Sequence, residues 1–322
     1  MRVRSRLAIA SASAAVVVAT ALAALVLPNQ PAHAQLLAVQ SAPPPADSTV
    51  LTLLGTQGGP SAAVQRAGEA NLLTVRGKRY LIDAGIGVSR RLAEAGVPLS
   101  AVTKVFITHP HNDHTAGLVG LMALYNGREP LEIMGPPRMA DFVAAALPLL
   151  AINWEIRAEQ GGQPEAKAAA LLKGRDVQPG LVYADDDVRV TAIENAHFHF
   201  AAGSKASRNK SYAYRFQTPH KVVVFTGDTG EQPAMAKFAE GADILVCEMV
   251  SPAILKNVTE ANRNHMVNEH LSPTQVGQLA RDAKVKMLVL SHLVGSTPED
   301  LAEIRKWYPG KVVQGEDLQV FN

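Results

Sequence analysis

Three imidazoles and one carboxylate fall within six residues in the run Thr108-His109-Pro110-His111-Asn112-Asp113-His114-Thr115-Ala116-Gly117. Buried polar side chains need partners, so four such groups crowded together are poorly explained by packing. A solvated His-rich surface loop is the simpler alternative, but these residue types are those that hold a metal ion. In an extended segment side chains alternate, so His109 and His111 project to the same side and can grip one ion together. Asp113 and His114 lie past the bend and suit a second, neighbouring ion. Histidine with carboxylate favours zinc, with iron or manganese as alternatives. Two ions roughly 3.5–4 Å apart and bridged by hydroxide form a hydrolytic centre.

The elements around this cluster must carry it. The β-branched run Val102-Thr103-Lys104-Val105-Phe106-Ile107 reads as a buried strand that ends where the histidines begin. Further strands are expected over 188–193, 212–216, 221–225 and 244–247. Helices are expected over 137–152 and 164–174, and over 272–283, where Ser272 is the N-cap and Pro273 opens the first turn. The stretch 160–180 reads as peripheral. Apolar strands between helical segments predict two sheets face to face with helices outside, buried on both faces.

Residues 1–34 read as a leader: Arg2, Arg4 and Arg6, an apolar stretch from Leu7 to Leu27, then Ala32-His33-Ala34 as a cleavage signal. About 20 apolar residues could also span a bilayer, but the small-residue ending favours removal and no stable membrane anchor. That predicts a periplasmic or secreted protein, with a Pro-rich linker over 35–49 and one domain over 50–322. The formal charge is +2, and residues 1–34 hold three arginines and no acids, leaving −1 without them. A near-neutral chain lacks the basic footprint expected of a nucleic-acid binder. Cys247 is the single cysteine, which excludes an intramolecular disulfide; in its apolar run it reads as a small hydrophobe.

The His-x-His-x-Asp-His block resembles that of the metallo-β-lactamase superfamily. Other segments match the family pattern in order. Asn71–Val75 and Arg79–Ile82 lead to Asp83-Ala84-Gly85, Phe225-Thr226-Gly227-Asp228-Thr229 carries the Gly-Asp-Thr turn, and Met287–Ser291 ends at His292. The resemblance implies an αββα sandwich with two divalent metal ions, zinc expected, at one sheet edge. It implies that His109, His111 and His197 hold one ion and that Asp113, His114 and His292 hold the other, with Asp228 between them. His199 is the alternative to His197. Asp83 is expected to support the ligands by hydrogen bonding. Asp113 could also orient the nucleophile. The leaving group needs a proton donor, for which His270 is the candidate and His265 the competitor.

Members that reduce oxygen carry glutamate where this chain has His111, and true zinc β-lactamases lack the aspartate matched by Asp228. Both comparisons point to ester hydrolysis. The tRNase Z branch is similar in Gly55-Thr56-Gln57-Gly58-Gly59-Pro60 and in the loops of Glu248 and His270. However, Met249-Val250 replaces its Ala-Thr, and no long basic arm is apparent. The expectation is therefore an exported dinuclear hydrolase of a small ester, phosphodiester or sulfate first, with lactone or thioester as alternatives. Its partner would be a small-molecule substrate and no nucleic acid, with a homo-oligomer allowed. A non-catalytic metal-binding protein is the reading from another class. Lys205, Arg208 and Lys210 could bind an anionic substrate, although solvated loop charge is the simpler explanation.

Overall fold

A computed structural model describes residues 48–61, 65–162 and 164–322. The expected leader over 1–34, and the linker up to residue 47, lie outside the described residues.

The strands are β1 (Thr49–Gly55), β2 (Ala70–Val75), β3 (Lys78–Ile82), β4 (Val102–Phe106), β5 (Leu131–Gly135), β6 (Leu172–Asp176), β7 (Gly180–Ala184), β8 (Arg189–Glu194), β9 (Tyr212–Gln217), β10 (Val222–Phe225), β11 (Ile244–Val250), β12 (Met287–Val294), β13 (Lys311–Gln314) and β14 (Val320–Phe321). They form two seven-stranded sheets, in the orders β14-β1-β2-β3-β4-β5-β6 and β13-β12-β11-β10-β9-β8-β7. Each sheet is antiparallel on one side and parallel on the other, with β3 to β6 parallel in the first and β10 to β13 parallel in the second.

Period-two alternation distributes the apolar side chains among three layers. Phe106, Ile82, Leu73, Val223, Val246 and Val289 point between the sheets, where Tyr214 and Phe216 join them. Their neighbours Val105, Leu81 and Leu72 point outward, onto Leu92, Leu118, Leu121 and Val143 of the helices outside the first sheet. Val224, Leu245, Cys247, Leu288 and Leu290 pack on Val276, Ala280 and Ile304 outside the second. The result is the expected four-layer αββα sandwich, and Cys247 is the packed hydrophobe its sequence suggested.

Two expectations needed correction. The helix expected over 137–152 runs Met139–Glu159, and only its Met139, Val143, Ala146, Leu150 and Trp154 side is buried. The helix expected over 164–174 stops at Ala170, and Leu172–Asp176 instead forms β6, pairing with β5. Only Leu172 of that strand is buried, as befits an edge strand with one wet face. The helix Pro273–Asp282 begins as expected, with Ser272 and Gln275 forming a reciprocal capping box.

Candidate metal centre

Strand ends deliver the polar cluster. β4 stops at Phe106 and the chain then runs extended through His109 and His111, before the short helix Asn112–Thr115 turns Asp113 and His114 inward. Asp228 follows β10 in a turn whose Gly227 has φ 58°, a conformation that strains any side-chain-bearing residue. His292 lies in β12 and His197 just after β8.

These residues gather into two adjoining groups, one of His109, His111 and His197, the other of Asp113, His114, Asp228 and His292. His111 Nδ1 lies 3.1 Å from both His109 Nε2 and His197 Nε2. In the second group His292 Nε2 is 3.1 Å from Asp113 Oδ2, and His114 Nε2 is 3.3 Å from Asp228 Oδ1. Asp228 adjoins both groups, its Oδ2 lying 3.8 Å from His109 Nε2 and its Oδ1 3.4 Å from His292 Nδ1.

Outer contacts set the tautomers. Thr108 Oγ1 spends its single proton on the Asp83 carboxylate at 2.9 Å, so it must accept from His109 Nδ1 at 3.1 Å. His114 Nδ1 donates to Asp83 Oδ2 at 2.9 Å, and His197 Nδ1 donates to the Glu269 carbonyl at 3.1 Å. Each ring thereby presents a bare Nε2 lone pair to the centre, the arrangement metal-ligating histidines require. Asp83 thus has the supporting position expected of it.

The groups fit divalent ions. Buried His114 Nε2, Asp228 Oδ1 and His292 Nδ1 have no hydrogen-bond partner. Buried atoms of this kind need either protons or a cation among them. The 3.1 Å nitrogen spacings are close to the edge of a tetrahedron with ~2.0 Å metal–nitrogen bonds, about 3.3 Å.

The charge balance agrees. Burial, with the neighbouring His114 and His197, holds His109 well below the usual imidazole range, and burial lowers His197 to about 3. Both are neutral and ready to ligate. Burial also works against charge on His114 and His292, but Asp228 overrides it and raises both. Asp228 itself stays ionised, since His292 and His114 outweigh its desolvation. Without metal, protons on these rings neutralise the carboxylates; a cation would replace them.

His199 is exposed and outside both groups, and His220 is exposed after Pro219. His265 is half exposed and paired with Glu269 at 3.1 Å. His270 is buried, its Nδ1 3.3 Å from Glu248 Oε2 and 4.0 Å from Asp228 Oδ2, and its ring stacked 6.1 Å from that of His292. Burial disfavours its charge, yet Glu248 raises it to about 9. Sequence reasoning missed Glu69, a buried carboxylate bonded to Asn71, Ser291 and the His292 backbone. Its only signal is an acid at the mouth of an apolar strand. Phe198 and Phe200 lie in the loop that follows β8.

The sequence profile of the Beta-lactamase superfamily domain matches residues 78–293, a span that includes both groups. Ribonuclease Z of Mycobacterium sp. (strain KMS) is 27% identical over 278 residues, covering 83% of this chain and 94% of that protein. Ribonuclease Z of Mycobacterium avium (strain 104) is 28% identical over 279 residues, covering 83% and 96%. Among solved structures, the metallo-β-lactamase fold protein YhfI from Bacillus subtilis superposes with a TM-score of 0.65 at 22% identity, over 86% of this chain and all of that one (100%). The short form of human tRNase Z gives 0.60 at 22% identity, over 85% and 98%. These two likenesses concern the fold.

The expectation of a small-molecule ester, with no nucleic acid as partner, is overturned by these relatives: proteins matched along almost their whole length are named Ribonuclease Z. The lactone and thioester alternatives fall with it. Net charge does not decide the partner, because it averages over the whole surface, whereas binding responds to the local field at the site. The leader on which export rests lies outside the described residues. A non-catalytic role is likewise set aside. The chain belongs to the beta-lactamase superfamily: it is a divalent-metal-binding hydrolase of ester bonds with the metallo-β-lactamase fold, in the tRNase Z-like branch.

Proposed function

We propose that this protein is a dinuclear, zinc-dependent phosphodiesterase that cleaves RNA. The observation that carries the reading is the meeting of two ligand-type groups at one shared carboxylate, Asp228. RNA as the substrate is supported by the relatives named Ribonuclease Z.

In this reading His109, His111 and His197 would hold one ion and Asp113, His114 and His292 the other, with Asp228 available to both. Divalent ions bound there would supply a water activated near neutral pH and a counter-charge for the phosphoryl oxygens. The chain does the rest. Asp83, Thr108 and the Glu269 carbonyl keep the imidazoles aimed inward, so no reorganisation is needed during the reaction. Asp113, hydrogen-bonded to His292, is lowered to about 2 although burial opposes this, and stays an acceptor able to orient the attacking water. His270, carrying a proton held by Glu248, gives it to the departing ribose oxygen.

Incubating the zinc-loaded chain with an RNA bearing a single-stranded 3′ extension tests the proposal. Chelator-sensitive cleavage to defined products is expected. Intact RNA under conditions where the chain still hydrolyses a generic phosphodiester would remove RNA from the reading.

A further inference from the structure

The loop after His197 carries two aromatic rings that the ligand groups do not use. Phe198 is half-buried, its ring centroid 4.8 Å from that of His197, 5.1 Å from that of His111 and 5.6 Å from that of His109. Phe200 lies on Phe198 at 4.8 Å with their planes 32° apart, yet is 40% exposed. The two rings form steps leading from the first imidazole group to solvent. A single exposed apolar residue is ordinary on a protein surface. Phe200 differs because it is stacked on a ring that itself abuts three of the imidazoles.

The same loop carries cations. Lys210 is paired with Glu194 at 2.8 Å. Lys205 and Arg208 are exposed, and among the described residues neither has a carboxylate within ion-pair distance. An open aromatic face on the same loop as cations that lack a carboxylate partner is the combination that binds single-stranded nucleic acid, the ring taking a base and the cations the backbone. A base in a duplex has both faces covered, so only an unpaired nucleotide can use such a ring.

We propose that Phe200 stacks the unpaired base next to the scissile phosphate, while Lys205 and Arg208 meet the neighbouring phosphates. The inference rests on the RNA reading above and specifies the substrate as single-stranded at the cut. Its role is in substrate selection: the reacting atoms are left to the imidazoles and carboxylates.

The test uses the zinc-loaded full chain and three RNAs: one normal, one abasic on the 5′ side of the cut and one abasic on the 3′ side. For one of the abasic substrates, wild-type kcat/KM should fall about 10-fold, the size of one stacked base. In Phe200→Ala the ratio of normal to abasic should drop to near one, and Phe200→Tyr should restore it. An unchanged ratio in Phe200→Ala, with normal RNA cleaved, overturns the stacking alone. Failure of the wild type to cleave normal RNA overturns both the stacking and the RNA reading. Zinc content is read on the same samples; loss of zinc in Phe200→Ala would make Phe200 a prop for the imidazoles and overturn the proposal.

Discussion

The Glu69 carboxylate accepts a hydrogen bond from the His292 backbone N–H at 2.9 Å, and His292 holds a left-handed φ of 49°. That conformation costs a non-glycine residue of the order of 1–3 kcal/mol, so the surroundings must impose it. Ser291 Oγ donates to the same oxygen at 2.7 Å, and Asn71 holds the other at 2.6 Å. Burial raises Glu69 to about 7, and the nearby His292 and Ser291 only partly offset this. The group is thus kept in a costly place, where it fixes the backbone that aims one imidazole at the centre.

Removing that anchor should be felt in both stability and metal binding. Glu69→Ala strips the His292 N–H and Ser291 Oγ of a buried acceptor, at about 1–3 kcal/mol. We expect a lower urea midpoint and weaker zinc binding by the group that contains His292. Unchanged zinc affinity in a correctly folded variant would reduce Glu69 to a bystander.

Asp228 is the carboxylate that both groups share. Asp228→Ala should lose at least one equivalent of bound metal together with activity, because five histidines at 3.3–4.0 Å would face a gap. Metal analysis of the purified variant decides the matter. A full metal complement would defeat the sharing assignment.

His270 gives a prediction of different shape. Replacing it with Ala should lower kcat by roughly 10²–10⁴-fold, the range for a proton donor, with metal content intact. A donor works only while protonated. His270 is raised to about 9 by Glu248 against its burial, and bound cations can only lower that value. Wild-type kcat/KM should therefore fall as pH rises through a point no higher than about 9, and the variant should lack that limb. Lost metal in His270→Ala would mark it as a ligand.

The positions that gather at the sheet edge were legible because each sits at or near the end of an apolar strand: His109 after Val102–Phe106, Asp228 after Val222–Phe225 and His292 near the end of Met287–Val294. His197 and His199 could not be separated by sequence, since residues two apart share a side in extended chain. They part because β8 ends at Glu194 and His197 turns inward to an acceptor, the Glu269 carbonyl, whereas His199 is exposed. β6 was misread because Leu172-Lys173-Gly174-Arg175-Asp176 has one buried residue and no alternation. Glu69 was invisible because an acid beside a strand reads as surface until Ser291 and His292, far along the chain, close over it.

Titrating zinc into metal-free protein while following RNA cleavage tests the central claim most directly. Two ions acting together at Asp228 predict little cleavage at one equivalent and full cleavage near about two. Full activity at one equivalent, or cleavage indifferent to zinc and chelator, would contradict it.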